Sequence, residues 1–580
     1  MNHLERIPFC DRGIKKVKSW FNRDTVDGRL IRSLLLGTFA TIIIGELSAY
    51  RIIEQDIIAS ELNIFTLDFI IMGISLLEVL VGPFISWLGY NNRRVLMLGW
   101  NIAPAVVALL WLAMPEFAEL VESEYCHNNN TVIRNISTNP RAAVRLTLVI
   151  ISCVVFCLTR VATWSHGIAY IEEHSPERTT MHFGVLVAFR VVALTVFHRI
   201  IPSGQSINMQ VFAVAGSTIG NVVQVLIFMP RKHIPIEEDL DAPWVNRSFI
   251  PSIGRVLKNT LALTQMVGIG LLAAALWGFA YHESDVIKAK FHLDIVNEHG
   301  LGANLKLILR YLVVIMSVAY IGVKFSPPIM SEFCRFRGVK QAIFMSILAF
   351  VMYILITAVG GCDLGFVAGL GKNQYTFPEC SLGCGCVPRW REFSPVCVVD
   401  SVSTYLSPCH AGCSGSEIIN NIRVFTNCTC APNSGRASIG ACSLDNCSAA
   451  YDLHHTLFVM VVLTTVLAFQ AQGMLLLRAV DVPDRSLALG VAGAVVASIT
   501  FGCGHLIFLG ISAASCRWFE GGRCHLHRHS FPAYIGSTSA VMVVISVAIS
   551  VATWVAMMRD ERKERIEESD TPEDQILMNG

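Results

Sequence analysis

The chain has 580 residues, of which 53% are hydrophobic and 15% charged, with a formal net charge of +1 and a mean hydropathy of +0.53. Soluble domains carry roughly a quarter of their residues as charges, so this composition excludes a water-soluble globule and indicates a polytopic membrane protein with the lipid bilayer as its solvent. The balanced charge removes the electrostatic basis for a nucleic-acid partner, and no Walker loop, HExxH or nucleophile elbow stands out, so neither an enzyme nor a cofactor or metal protein is expected.

In chain order, residues 1–29 carry Arg6, Arg12, Lys15, Lys16, Lys18, Arg23 and Arg29, a surplus that the positive-inside rule assigns to a cytoplasmic tail. The first apolar block, near Leu30, follows this long basic tail and reads as a retained anchor. Blocks of roughly 20 apolar residues, the length that crosses a bilayer, fall at 31–50, 64–87, 95–114, 144–168, 182–201 and 209–229, giving a first bundle over 30–229. Between the third and fourth blocks, sequons at Asn129 and Asn135 place the connection outside. Residues 230–258, mixed in charge and containing four prolines, read as a cytoplasmic linker, so the sequon at Asn246 stays unmodified. Further blocks at 259–282, 305–325, 340–360, 454–477, 487–514 and 533–557 give a second bundle over 259–557, and a cytoplasmic tail covers 558–580. The block at 305–325 is the weakest, being interrupted by Lys306 and Arg310.

The expected fold class is therefore an all-α polytopic membrane protein with twelve transmembrane helices in two six-helix bundles, the major facilitator architecture. Inserted in the loop 361–453 is a stretch from Cys380 to Cys447 with ten cysteines in 68 residues. Such density belongs to an oxidising compartment and to a small core held by disulfides. It puts this loop outside and both termini inside.

Within that stretch, Cys384-Gly385-Cys386, Ser394-Pro395-Val396-Cys397, Tyr405-Leu406-Ser407-Pro408-Cys409-His410-Ala411-Gly412-Cys413 and Asn427-Cys428-Thr429-Cys430 resemble the Kazal-like extracellular loop of the organic anion transporting polypeptides. The resemblance extends to Tyr170-Ile171-Glu172-Glu173, to Gly278-Phe279-Ala280, and to Asp484-Arg485-Ser486-Leu487-Ala488-Leu489-Gly490 running on to Cys516-Arg517-Trp518 and Cys524. The chain is identified as a divergent member of that family. Its tryptophan-rich signature is unrecognisable in 206–228, and Ala497 stands where the family has an arginine. By Kazal analogy, the resemblance implies a module over 374–432 with pairs Cys380–Cys413, Cys386–Cys409 and Cys397–Cys430, and an outer pair Cys516–Cys524. That last pair is a simpler reading of Cys524, His525, His527 and His529 than a metal cluster. Asn427 is a third glycosylation candidate.

The resemblance further implies sodium-independent transport of amphipathic organic anions (steroid conjugates, prostanoids, bile-acid-like or thyroid-hormone-like compounds) by alternating access at the plasma membrane, with a counter-anion such as bicarbonate as a candidate exchange partner. The alternative is a non-transporting surface protein whose Kazal-like loop binds a partner or protease. Ionisable groups inside spans cost about 2.5 to 3.5 kcal/mol on insertion scales and so face a partner or a watery path. The path candidates are Glu46, Glu78, Arg160, His166, Arg190, Arg310 and His505, with Asp68 among the buried-charge positions. Arg160 with Glu78 is also readable as an internal ion pair, and Arg310 as a snorkelling side chain. Glu116, where many family members have histidine, and His505 are the candidates for a pH-dependent step, with His505 favoured.

Overall fold

The computed structural model describes residues 65–88, 93–112, 125–126, 140–174, 178–200, 248–291, 301–324, 332–361 and, with short gaps, 366–569, plus a few positions at 216–222. The apolar blocks at 31–50 and 209–229, Glu46, Glu116, Asn129, Asn135 and both terminal tails lie outside them. In the first half the helices are α1 (Phe65–Leu88), α2 (Arg93–Leu112), α3 (Pro140–His174) and α4 (Thr179–Ile200). The second half contains α5 (Phe249–Lys258), α6 (Thr260–Tyr281), α7 (Glu283–Phe291), α8 (Leu301–Lys324), α9 (Glu332–Ala358), α10 (Ser448–Ala479), α11 (Arg485–Ala497), α12 (His505–Ala514) and α13 (Phe531–Ser569). Ten of the expected blocks are thus helical, and seven helical stretches among the described residues are long and apolar enough to cross a membrane. The 301–324 helix is not one of those seven, in keeping with the charges inside it.

Helix α1 shows why these segments suit a bilayer. Its buried positions are Asp68, Ile71, Ile74, Ser75, Glu78, Gly82, Pro83, Ile85 and Ser86, whereas Phe69, Leu76, Leu80, Phe84 and Leu88 are exposed. The spacing is helical, but Asp68, Ser75, Glu78 and Ser86 face inward beside three isoleucines, while Phe69, Leu76, Leu80, Phe84 and Leu88 face outward. That inversion is stable only where the surroundings are hydrocarbon.

The main core lies in the second half, where Phe279, Tyr353, Phe458, Phe508 and Phe531 are fully buried together with Tyr311 and with Ala188 from α4. The Phe508 ring abuts Gly278, where an added Cβ would come within 2.0 Å of it. Between α11 and α12 the chain makes one π-helical turn, Ser498–Gly504. Gly504 is needed there because a Cβ would sit 2.8 Å from the Ile499 carbonyl oxygen and 3.0 Å from Ala274. Two features differ from the linear reading. The expected linker ends in helix α5, which buries Ser252 and Val256 and exposes Ile250 and Leu257, and α13 continues beyond its apolar block to Ser569.

The cysteine-rich insertion folds as a six-stranded sheet of β1 (Phe366–Val367), β2 (Val396–Val398), β3 (Ser403–Tyr405), β4 (Gly415–Ile419), β5 (Ile422–Thr426) and β6 (Arg436–Ile439), in the order β1-β3-β2-β6-β5-β4. Its apolar core is little more than Val396, Val398, Tyr405, Phe425 and Ala437, so disulfides supply much of the constraint. Cys386 pairs with Cys409, and Cys516 with Cys524. Two Kazal-style pairs are corrected. Cys380 bonds Cys430 rather than Cys413, and Cys397 bonds Cys442 rather than Cys430. The strand order explains the exchange, because β2 lies beside β6 with Cys397 opposite Ser438, and the chain leaving β6 returns Cys442 to it, anchored by its N–H on the Thr404 hydroxyl at 2.9 Å. Cys430 is instead drawn to Cys380, whose carbonyl accepts from the Thr429 hydroxyl at 2.6 Å. Cys413 then closes a short loop with Cys428.

The sixth described disulfide, Cys126–Cys384, ties the first half's loop to the module across 258 residues of sequence. Around it, Cys126 N–H donates to the Cys413 carbonyl at 2.8 Å and Tyr125 reaches Ser416 Oγ at 2.8 Å. On the second half, hairpin β7 (Cys516–Glu520) and β8 (Arg523–His527) extends from α12, and its Leu526 packs on Val367 and Leu406 of the module.

Candidate functional site

The two halves meet along α1 and the α11–α12 pair. At the end remote from the module, Gly490 lies against Ser86 and Gly82. Further along, the Ser75 hydroxyl donates to the Ala497 carbonyl at 2.9 Å, and Glu78 lies against Gly493. Toward the module end, Asp68 reaches His505. This seam places carboxylates of the first half against a helix whose small residues and π turn let the backbones approach closely.

The most concentrated polar group on the seam combines Asp68 of α1, Trp277 and Tyr281 of α6 and His505 of α12. His505 Nε2 is 3.0 Å from Asp68 Oδ1, the Tyr281 hydroxyl donates to the same oxygen at 2.9 Å, and Trp277 Nε1–H donates to His505 Nδ1 at 3.3 Å. Asp68 and His505 are both buried. The Trp277 indole is fixed edge-on against Phe501 of the π turn, with ring centres 4.9 Å apart. A buried carboxylate is stable only with donors aimed at it, and here the donors come from the other half of the chain.

Other expected path residues take several positions. Arg160 of α3 forms a buried ion pair with Glu78 of α1, the internal pairing that the sequence allowed. His166 is buried, with Nε2 3.3 Å from the Ile85 carbonyl, joining α3 to α1. Arg190 lies over the Trp164 ring at 5.8 Å, half-buried in the first half. Arg310 is carried to the rim, where it pairs at 3.2 Å with the exposed Asp452 and is itself partly exposed, which takes it out of the buried interior. Asn427 is exposed in a left-handed turn, φ 55°. The Cys524 sulfur is consumed in its disulfide and His527 Nε2 bonds Ser512 at 2.9 Å, while burial pushes the His527 imidazole down to about 4.

Three interactions between the halves escape a linear reading. Arg478 of α10 meets Glu172 of α3 at 3.0 Å, and Gln470 of α10 donates to the Thr180 carbonyl at 2.8 Å. Near them, Gly322 of α8 lies against the Met181 backbone of α4. All three lie at the end of the bundles remote from the module. Glu172 was visible only as part of the family-like stretch Tyr170–Glu173, and its partnership with Arg478 requires the fold. Tyr281 and Trp277 carried no signal beyond the aromatic content of an apolar helix.

The family model of the Organic Anion Transporter Polypeptide (OATP) family matches residues 234–550. This chain belongs to that family. Among curated relatives, solute carrier organic anion transporter family member 2B1 of Rattus norvegicus is 33% identical over 144 residues, covering 23% of this chain and 20% of the relative. Member 1C1 of Mus musculus is 25% identical over 341 residues, covering 53% of this chain and 45% of the relative. The chain thus spans less than half the length of the relatives it matches. Among solved structures, the human organic anion transporter MFSD10 is similar with a TM-score of 0.47 and 10% identity, covering 91% of this chain and 100% of that one. The E. coli fucose:proton symporter FucP (N162A) is similar with a TM-score of 0.43 and 11% identity, covering 89% and 98%. For this OATP-family chain, the matched range contains α5 to α12 and the module. Asp68, Glu78 and Arg160 lie before it.

Proposed function

We propose that the protein moves amphipathic organic anions across the plasma membrane by alternating access, independently of sodium and without nucleotide hydrolysis, with the cysteine-rich module outside and both termini in the cytosol. The observation that carries this reading is the seam between the halves. It includes separable polar pairs, Asp68–His505 and Glu172–Arg478, and glycine contacts, beside the apolar cluster in which Ile168, Ile171 and Leu186 of the first half pack with Met474 and Leu477 of α10. Such contacts break and reform at a cost of a few kcal/mol, the scale on which rocking of two bundles operates. The family membership supports organic anions as the substrate class, with steroid conjugates, prostanoids, bile-acid-like and thyroid-hormone-like compounds as the members to test and bicarbonate as the candidate counter-anion. Arg190 and His505 are the cationic or conditionally cationic groups assigned to the path, and the sequons at Asn129 and Asn135 are assigned to glycans on the outer face.

The test is an uptake screen over those four compound classes in cells expressing the full chain, with sodium replaced by choline. Saturable accumulation that survives the replacement is expected. Accumulation equal to that of untransfected cells for every class, at verified surface abundance, would reject transport.

A further inference from the structure

Helix α5 is joined through Asn259 to α6, whose 22 residues, Thr260–Tyr281, are long and apolar enough to cross a membrane. At 1.5 Å per residue such a helix reaches about 33 Å, close to the hydrocarbon thickness of a bilayer. Asn259 is a corner. Its extended backbone, φ −77° and ψ 98°, ends α5, and its side chain caps α6 by accepting from the Ala262 N–H at 3.0 Å. The chain of α5 therefore runs at the level of the lipid headgroups, at the end of the bundles remote from the module. One face of α5 is buried against the protein, where Val256 packs with Met266, Leu476 and Leu487. Two contacts from this helix reach both halves. Phe249 meets Trp87 and Phe84 of α1 edge-on, with ring centres 5.6 and 5.9 Å apart, and Arg255 holds Asp484 at the start of α11 at 2.7 and 2.9 Å. The rest of its surface is uncovered. Ile250, 79% exposed, and the exposed Leu257 are seven residues apart and so lie on one edge of the helix. That edge adjoins Phe249, which touches the exposed Phe84 on the outward face of α1, so the apolar surface is continuous from α1 to α5. Lys258, next to Leu257, is exposed, and residues 246–281 carry Arg247, Arg255 and Lys258 but no acid.

We propose that α5 is an interfacial helix that binds anionic phospholipid of the leaflet remote from the module, with Ile250 and Leu257 among the acyl chains and the Lys258 ammonium at the headgroup. Three features converge on lipid as the occupant. The length of α6 sets the depth of α5, its apolar edge continues the lipid-facing surface of α1, and Lys258 flanks that edge as basic residues do in helices that lie in a membrane surface. Asp484 neutralises Arg255, which leaves Lys258 as the charge open to a headgroup. Because α5 touches α1 through Phe249 and α11 through Arg255, a lipid seated on it reinforces the clasp between the halves at this end. In the orientation proposed above the leaflet is the cytosolic one, where anionic lipids concentrate. That assignment of side and the effect on uptake rest on the transport reading, whereas the lipid site does not.

Two readouts separate those claims. In the purified full chain in nanodiscs, amide hydrogen exchange over residues 249–258 is expected to slow on the order of fivefold when phosphatidylserine is mixed into phosphatidylcholine, the contribution of one basic residue near an anionic surface. Phosphatidylglycerol at equal content is expected to do the same, since the charge is what Lys258 meets. Lys258→Glu is expected to abolish the difference between the lipids and Lys258→Arg to keep it, both at an exposed position where folding is not at stake. Ile250→Ser with Leu257→Ser is expected to speed exchange in every lipid. Exchange equal with and without anionic lipid, or a difference that survives Lys258→Glu, would overturn the proposal. Protection that is the same in all lipids and is lost on removing residues 570–580, which carry Asp570, Glu573 and Asp574, would overturn it in favour of the chain's own acidic tail. In proteoliposomes of the same compositions, uptake of estrone sulfate is expected to depend on phosphatidylserine in the wild type and not in Lys258→Glu. Uptake that ignores the lipid while exchange responds would remove the effect on the clasp, and lipid-dependent exchange with no uptake in any lipid would keep the site and reject the transport reading.

Discussion

Gly278 and the Glu78–Arg160 pair show two ways in which single residues hold this molecule together. At Gly278 the backbone of α6 touches the buried Phe508 ring, and a methyl group there would need a gap of about 2 Å that the packing lacks. Gly278→Ala is expected to cost about 1 to 3 kcal/mol, the usual cost of overpacking, and to lower surface abundance, while Gly278→Ala with Phe508→Leu recovers part of it in the same surface-biotinylation measurement. Glu78 and Arg160 form an ion pair buried within the first half. Removing either partner leaves an uncompensated charge and costs about 3 to 5 kcal/mol. Arg160→Glu is thus expected to abolish surface expression, and the double reversal Glu78→Arg with Arg160→Glu to restore it in part. If the double variant is no better than the single one, the pair is not the reason for the residues. The charges themselves were legible in the sequence because an ionisable residue in an apolar block is costly, and so was the pairing of Glu78 with Arg160 as one reading. The partner of Asp68 was not, because 437 residues separate it from His505.

The disulfide module and its tether make the case at the scale of elements. Cysteine density correctly marked an oxidised insertion, but the analogy to a three-disulfide module misassigned two pairs, because it ignored Cys442, which the sheet order returns to Cys397. Cys397→Ser is now expected to leave Cys442, not Cys430, as the thiol that reacts with maleimide. The cost is about 2 to 5 kcal/mol of module stability. His410 gives the same module a pH dependence. It is buried against Phe377, with Nδ1 on the Ser407 hydroxyl at 2.7 Å, and burial lowers its pKa from an ordinary 6.5 to about 4. The unfolded module binds a proton that the folded one excludes, so stability is full above about pH 6.5 and falls as pH drops toward 4, by about 3 kcal/mol in total. Limited proteolysis of the module at pH 7 and pH 4.5 should show faster cleavage at the lower pH, and His410→Phe should remove the difference. Unchanged cleavage in the wild type would mean that the imidazole is not excluded from water as its packing indicates.

For the whole molecule, apolar block length and basic turns were sufficient to place ten helices, since bilayer thickness dictates both. They could not anticipate helix α5, whose Arg255 makes a two-pronged contact with Asp484 at 2.7 and 2.9 Å, because a mixed-charge linker has no apolar run to betray it. Nor could they show that Cys126–Cys384 bonds a first-half loop to a module inserted in the second half. The transport account requires the halves to separate at one end while remaining joined at the other, with the Glu172–Arg478 pair closing the end remote from the module. Arg478→Glu is expected to weaken that closure and reduce the uptake rate, and Glu172→Arg with Arg478→Glu to recover it. The most direct test of the central claim uses the purified chain in proteoliposomes without nucleotide, measuring uptake of labelled estrone sulfate with and without the same unlabelled anion trapped inside. The account predicts saturable uptake that the trapped anion accelerates, as expected when the loaded carrier reorients. Uptake no greater than in protein-free vesicles, or uptake that neither saturates nor responds to the trapped anion, would contradict it.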